Sequence, residues 1–187
     1  MSEVFDSIYD NNTWSGTESR SGPGAGPIAF PLGEEIVRLV RELDVQSVLD
    51  VGSGDGFWMP DLPGYVGIDV SSRAVDLAKA RHPDREYRVD TGEPYPHCDL
   101  VISRCVMQHL SYLDGREMLR RILESGPRWL LATTYTKVQK NVDINTGQGF
   151  WIDLMDSPFS LGQPIRLIDD IGASDDMGGM LGLWEVR

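Results

Sequence analysis

Residues 48–58 read Val-Leu-Asp-Val-Gly-Ser-Gly-Asp-Gly-Phe-Trp, an apolar run that passes directly into glycines at 52, 54 and 56. An apolar, β-branched run closed by glycine is the pattern of a buried strand followed by a tight turn. Glycine at every second position lets the backbone turn sharply and approach a ligand that a larger side chain would exclude. Asp50 falls at the end of this strand, at the carboxyl edge where open α/β sheets bind their ligands.

Working outward from this stretch, strands and helices take turns. Short apolar runs at 47–51, 65–70, 86–89, 99–103 and 129–135 read as strands, and helical spacing of apolar residues marks 34–43, 72–81 and 112–124 as helices. Ser71 or Ser72 supplies an N-cap for the second of these. Such alternation predicts an α/β fold: a Rossmann-like, doubly wound sheet covered by helices on both faces. After about Lys137 the chain becomes turn-rich at 140–149 and 156–164, then offers runs at 164–169 and 181–186 that read as a C-terminal β-hairpin completing seven mostly parallel strands. Residues 11–33 are rich in Gly, Pro, Ser and Asn and read as a loop or lid, so the expected division is an N-terminal arm at 1–33 and one domain at 34–187.

Composition narrows the function. The chain has 187 residues, 41% of them apolar, enough for one core and too few for two ordinary domains. No apolar run reaches the roughly 18 residues of a membrane helix, and the start lacks the basic and apolar regions of a secretory signal, so a cytoplasmic protein is expected. Two cysteines, Cys98 and Cys105, are too few for a disulfide framework. The net charge of −12 disfavours long DNA or RNA as a partner, and Arg116, Arg120, Arg121 and Arg128 read as a solvated helix face. No membrane partner is expected, and the oligomeric state is a monomer or homodimer.

A second acid, Asp69, ends the run Tyr65–Val70, 13 residues after Gly56. There it can accept hydrogen bonds from both hydroxyls of a ribose. A dinucleotide fingerprint has its third glycine one residue later and holds a pyrophosphate; Asp50 and Asp55 would put negative charge beside that group. Acid around the loop suits a ligand carrying sulfonium and ammonium groups instead.

These segments, with 88–110 (RVDTGEPYPHCDLVISRCVMQHL), resemble the class I S-adenosylmethionine-dependent methyltransferases over residues 34–135. The resemblance implies S-adenosyl-L-methionine as cofactor. It places Asp50, Gly52, Gly54 and Gly56 around the methionine and ribose parts, Asp69 with Val70 on the ribose, Asp90 and Thr91 near the adenine, and Ser103 and Arg104 facing the methyl donor. The N-terminal arm, with 141–151 and 157–164, is also similar to small bacterial and phage proteins of that superfamily. In that reading the arm is a lid whose Arg20 reaches the cofactor's carboxylate as a bidentate pair.

Methyl transfer from a sulfonium is an in-line displacement, in which positioning and exclusion of water do much of the work. A hydroxyl or amine acceptor still gains from a base, and His109 is the candidate catalytic residue because its ordinary pKa suits proton removal near neutrality. Asp143 and Asp153 are weaker candidates. His97, Cys98, Cys105 and His109 do not read as a zinc site, since a strand between the cysteines separates them by roughly 20 Å. The segment Asp156-Ser157-Pro158-Phe159 looks like the base-holding sequence of DNA amino-methyltransferases, but it comes some fifty residues too late and reads as a Pro turn. Trp14, Trp58, Phe150, Trp151 and Phe159 suit an apolar or planar acceptor pocket where they are not simply core. The expected function is methyl transfer to an O or N atom of a small-molecule acceptor. The alternatives are a methyltransferase of a nucleotide or nucleic-acid base and a non-catalytic partner subunit that binds the cofactor; an NAD-dependent oxidoreductase fits the glycine spacing poorly.

Overall fold

The computed structural model describes residues 1–173 and 176–186. Seven strands form one sheet: β1 (Val48–Val51), β2 (Tyr65–Asp69), β3 (Glu86–Val89), β4 (Leu100–Ser103), β5 (Trp129–Tyr135), β6 (Arg166–Asp169) and β7 (Gly179–Glu185), in the order β3-β2-β1-β4-β5-β7-β6. The first five are parallel, and β7 runs antiparallel to both β5 and β6. The strand order reverses between β1 and β4, so the crevice at their carboxyl ends is a topological switch point.

Strand periodicity sorts the core into two layers. Val48, Leu100, Ile102, Leu131, Leu181 and Leu183 face one side, where α2 (Phe30–Glu42) and α3 (Ser72–Arg81) cover them; Leu49, Val51, Val101, Leu130 and Ala132 face the other, against α1 (Ser2–Asn11) and α4 (Tyr112–Glu124). Both faces are buried, which is why the central strands read as continuous apolar runs. Asp50 shares the first face with Val48, as the period of two requires.

α3 and α4 fall on the predicted residues because each carries its own start signal: Ser71 Oγ accepts from the Ala74 N–H at 3.2 Å, and Ser111 Oγ from the Asp114 N–H at 3.2 Å. α2 begins four residues before the predicted start, with Pro31 in its first turn, where a missing N–H does no harm. A larger difference lies at Ser2–Asn11, which forms a helix within the segment expected to be a loop or lid. Phe5, Ile8 and Tyr9 recur at helical spacing and are buried. Asp6 anchors that helix at the start of α3, accepting from Ser71 Oγ at 2.7 Å and the Arg73 N–H at 3.3 Å, where the helix dipole favours negative charge. Among the described residues no helix is long and apolar enough to cross a membrane.

Asp50 is 3% exposed and accepts a hydrogen bond from the Tyr65 hydroxyl at 2.8 Å. Burial raises its pKa to about 7, and neighbouring Asp69 adds to the rise against the Tyr65 hydrogen bond and the Arg104 charge. Because the folded state holds this proton more firmly than the unfolded chain, its contribution to stability falls as pH rises from about 4 to about 7. Thermal unfolding between pH 5 and pH 7.5 should therefore show a smaller loss of Tm with rising pH in Asp50→Asn than in the wild type; equal slopes would remove Asp50 as the cause.

Candidate functional site

A cavity of about 340 Å³ opens at the carboxyl ends of β1, β2 and β4, floored by Val51, Gly52, Ser53 and Gly54 of the glycine loop. That volume lies at the small end of ligand sites. Gly54 has φ +60°, and a Cβ there would lie 2.3 Å from Ser21 Oγ, so only glycine lets the N-terminal arm lie on the loop. Gly52, at φ +79°, leaves room for Val106 in the same way, since a Cβ there would meet its Cγ2 at 2.3 Å.

The arm is pinned by Asp55. Its carboxylate accepts from Ser19 Oγ at 2.8 Å and the Arg20 N–H at 3.0 Å, and it pairs with Arg81 at 3.2 Å. Ser21 Oγ in turn accepts from the Asp55 N–H at 3.1 Å and shares a 2.7 Å hydrogen bond with the Tyr9 hydroxyl. Ser21, Gly22, Pro23, Gly24 and Ala25 then line the cavity beside Phe5, Tyr9 and Trp14. Arg20 is not among the lining residues: its side chain is exposed, and its Nη1 donates to the Tyr9 carbonyl at 2.7 Å, near the end of α1.

Asp69 is the acid that ends β2, 8% exposed and lining the cavity with Val70. Its Oδ2 accepts from the Gly54 N–H at 2.9 Å and its Oδ1 from the Ser71 N–H at 2.8 Å. A carboxylate has about four acceptor positions, so one on each oxygen is left over, the number that two adjacent ribose hydroxyls need. Burial raises the Asp69 pKa to about 6; the two backbone N–H groups work against that rise.

Asp90 also lines the cavity, in a different condition. Oδ1 accepts from the Gly92 N–H at 2.9 Å and Arg121 Nη2 at 2.8 Å, and Oδ2 from the Tyr95 hydroxyl at 2.7 Å and Arg121 Nη1 at 2.9 Å. All four acceptor positions are filled. Burial works to raise its pKa, but these hydrogen bonds outweigh it and hold the carboxyl below the ordinary range.

Arg104, after β4, lines the cavity while almost fully buried, with its guanidinium 4.6 Å over the Trp58 ring. It donates to Asp170 from Nε at 2.8 Å and Nη2 at 2.7 Å, and to the Gly24 carbonyl at 2.9 Å, joining the sheet to the arm and to the segment after β6. The two arginines on the cavity wall are therefore each paired with a carboxylate. Against them the wall carries Asp69, Asp90, Asp114 and Glu117, an acidic excess that suits a cationic ligand and repels a pyrophosphate.

Besides Arg20, four of the expected cofactor residues stand off the wall. Asp50 is on the opposite face of β1, Gly56 lies against Tyr87, Thr91 is exposed, and Ser103 is buried with its hydroxyl unpaired. Cys105 lines the cavity and Cys98 is buried in the core.

His109 sits in a single 3-10 turn, Met107–His109, at the cavity wall. Its Nδ1 is 2.9 Å from the Gln148 carbonyl, which can only accept, so the neutral ring carries its proton on Nδ1 and its lone pair on Nε2. The ring packs 5.0 Å from Trp14, and burial lowers its pKa against the raising effect of the Gln148 hydrogen bond. The loop that orients it is tied on by two more backbone bonds, Gly147 N–H to the His109 carbonyl at 2.8 Å and Phe150 N–H to the Gln108 carbonyl at 2.9 Å. Asp143 accepts from the Tyr112 N–H at 2.7 Å, and Asp153 from Thr134 and Met155; neither lines the cavity. Phe159 of the Pro turn packs edge-on against Tyr112, 6.1 Å away, in the core. Arg120 is half-exposed and paired with Glu117 and Glu124 on the α4 surface.

Residues 49–130 match the methyltransferase domain family. No curated protein matches in sequence. Several solved structures share the fold. The magnesium protoporphyrin IX methyltransferase of Synechocystis, determined with bound SAH, is 13% identical, with 97% of this chain and 96% of that chain covered at a TM-score of 0.66. The methyltransferase domain of a bacterial Hen1 is 15% identical, covering 84% and 99% at 0.60. A structure from work on the conversion of a disulfide bond into a thioacetal group during echinomycin biosynthesis is 14% identical, covering 100% and 92% at 0.62. The domain match at 49–130 takes in the glycine loop and Asp69 on one sheet edge, in a fold shared with these methyltransferase structures.

Proposed function

We propose that this enzyme methylates an O or N atom of a small-molecule acceptor, with His109 as the general base. The observation that carries the reading is the His109 ring itself: fixed through Nδ1 by the Gln148 carbonyl, held neutral by burial, and placed on the cavity wall with Nε2 as a free acceptor among the described residues. S-adenosylmethionine would supply an electrophilic methyl group. The chain's own part is to hold, orient and exclude water. Asp69 would accept the ribose hydroxyls through its two spare positions, while Gly52 and Gly54 keep the loop backbone close. The Ser21–Ala25 arm covers the loop, and Trp14 shields one face of His109.

The acceptor oxygen or nitrogen would bond to the methyl carbon as the carbon–sulfur bond breaks and leaves its electron pair on sulfur, while the acceptor's proton would pass to His109 Nε2, giving an imidazolium whose Nδ1–H already points at a carbonyl. The net charge of the chain and the paired state of Arg120 and Arg121 support a small acceptor over a polyanionic one. Phe150 and Trp151, 5.2 Å apart on the loop braced against His109, are exposed and suit a planar or apolar acceptor.

His109→Asn should lower kcat by roughly a hundredfold to ten-thousandfold while leaving the Kd for S-adenosylhomocysteine within about twofold. The wild-type rate should rise with pH through a pKa below the ordinary histidine value, and that step should vanish in the variant. An unchanged kcat would remove His109 from the chemistry. Cofactor binding has its own pH signature. Asp69 must be ionised to accept both hydroxyls, and its pKa is about 6, so affinity for S-adenosylhomocysteine should fall by up to about tenfold per pH unit below pH 6. A flat affinity from pH 7 to pH 5 contradicts the role given to Asp69.

A further inference from the structure

Every residue from Arg104 to Leu110 except Met107 lines the cavity, His109 among them. What aims this segment is a reversal directly after β4. That strand ends at Ser103, opposite Ala132, while β5 runs on to Tyr135, so the chain leaves the ladder with backbone groups in need of new partners. A side chain meets the need. The Cys105 N–H donates to Thr133 Oγ1 at 2.8 Å, and the Thr133 hydroxyl donates in turn to Cys105 Sγ at 3.8 Å. Thr133 is 4% exposed and stands off the cavity wall.

Cys105 has φ +56°. A residue with a Cβ occupies that left-handed region only where its surroundings impose it. Among the described non-glycine residues with positive φ, Cys105 alone lines the cavity. The reversal sends Val106 into the space that Gly52 leaves open, and the Val106 carbonyl then accepts from the His109 N–H at 2.9 Å, opening the 3-10 turn that carries the ring. Four residues of backbone thus separate the clamped N–H from the imidazole. The loop at 147–150 hangs from the same segment through its backbone bonds to Gln108 and His109, so the Thr133 contact is what ties the assembly to the sheet.

We infer that Thr133 is a positioning residue for His109: its hydroxyl clamps Cys105 in the left-handed conformation, and through that turn it sets where the imidazole stands on the cavity wall. This rests on the reading of His109 as the base. Thr133 has no contact with the cavity and acts only through the backbone that follows Cys105.

The test is NMR of the ligand-free full chain, with the His109 ring resonances identified by their absence in His109→Asn. In the wild type the ring lies 5.0 Å from Trp14, close enough for NOE cross-peaks between the two. Thr133→Val keeps the shape and loses the hydroxyl, and it should cut those cross-peaks by at least about half; Thr133→Ser, which keeps the hydroxyl, should retain them. Adding Cys105→Gly to Thr133→Val should restore them, because glycine adopts this φ unaided. Cross-peaks unchanged in Thr133→Val, or not restored in the double variant, overturn the inference. Where Thr133→Val does not fold, the melting order of two single variants decides. Cys105→Gly should melt above Cys105→Ala, since both lose the sulfur and only glycine is unstrained at positive φ; the ordinary order, alanine above glycine, overturns the clamp. The kinetics of His109→Asn judge the base reading, and these spectra and melts, taken without a substrate, judge Thr133 separately.

Discussion

Asp69 ties together two chain reversals that make the site. One oxygen takes the N–H of Gly54 at 2.9 Å and the other the N–H of Ser71 at 2.8 Å, so a single carboxylate fixes both the glycine loop after β1 and the entry into α3 after β2. Both donors sit at the carboxyl edge of parallel strands, where backbone groups leave the ladder and must find partners elsewhere. Much of the surrounding structure follows from that arrangement. Ser71, held from below, caps α3 and donates to Asp6, which brings α1 across the mouth of the cavity; Gly54, held in a left-handed turn, leaves the space that Ser21 enters. The carboxylate is buried to do this, and burial is also what raises its pKa to about 6.

The wall around Asp69 keeps its charges in pairs. Arg104 is matched by Asp170, and Arg121 by Asp90, each through bidentate contact; removing one partner of such a buried pair would strand the other charge. Asp69, unlike Asp90, retains acceptor capacity on both oxygens. A half-used carboxylate and a saturated one therefore stand along the same sheet edge.

The alternation of strands and helices was legible because buried parallel strands are apolar on both faces and because α3 and α4 carry serine caps at their first turns. The glycine loop and Asp69 were legible for a related reason: both are set by local backbone geometry. α1 was not, since Ser2–Asn11 is polar apart from Val4, Phe5, Ile8 and Tyr9, and that short set at helical spacing was its only signal. Asp50 shows a further limit. Strand parity puts it opposite Val51, but which face carries the cavity depends on where α1 and the arm pack. Arg20 reads as a lid cation and instead serves the end of α1, because Asp55 holds the arm through backbone and serine groups and leaves the guanidinium outside. Arg121 and Gln148 acquire their roles from partners 31 and 39 residues away, through packing that no local pattern encodes.

The most direct measurement of the central claim is isothermal titration of the wild type and Asp69→Ala with S-adenosylhomocysteine and with NAD at pH 7.5. The account predicts micromolar binding of S-adenosylhomocysteine, no binding of NAD, and at least about tenfold weaker binding by the variant, near 1.4 kcal/mol. Preferential binding of NAD, or an Asp69→Ala variant that folds and binds S-adenosylhomocysteine like the wild type, would contradict it.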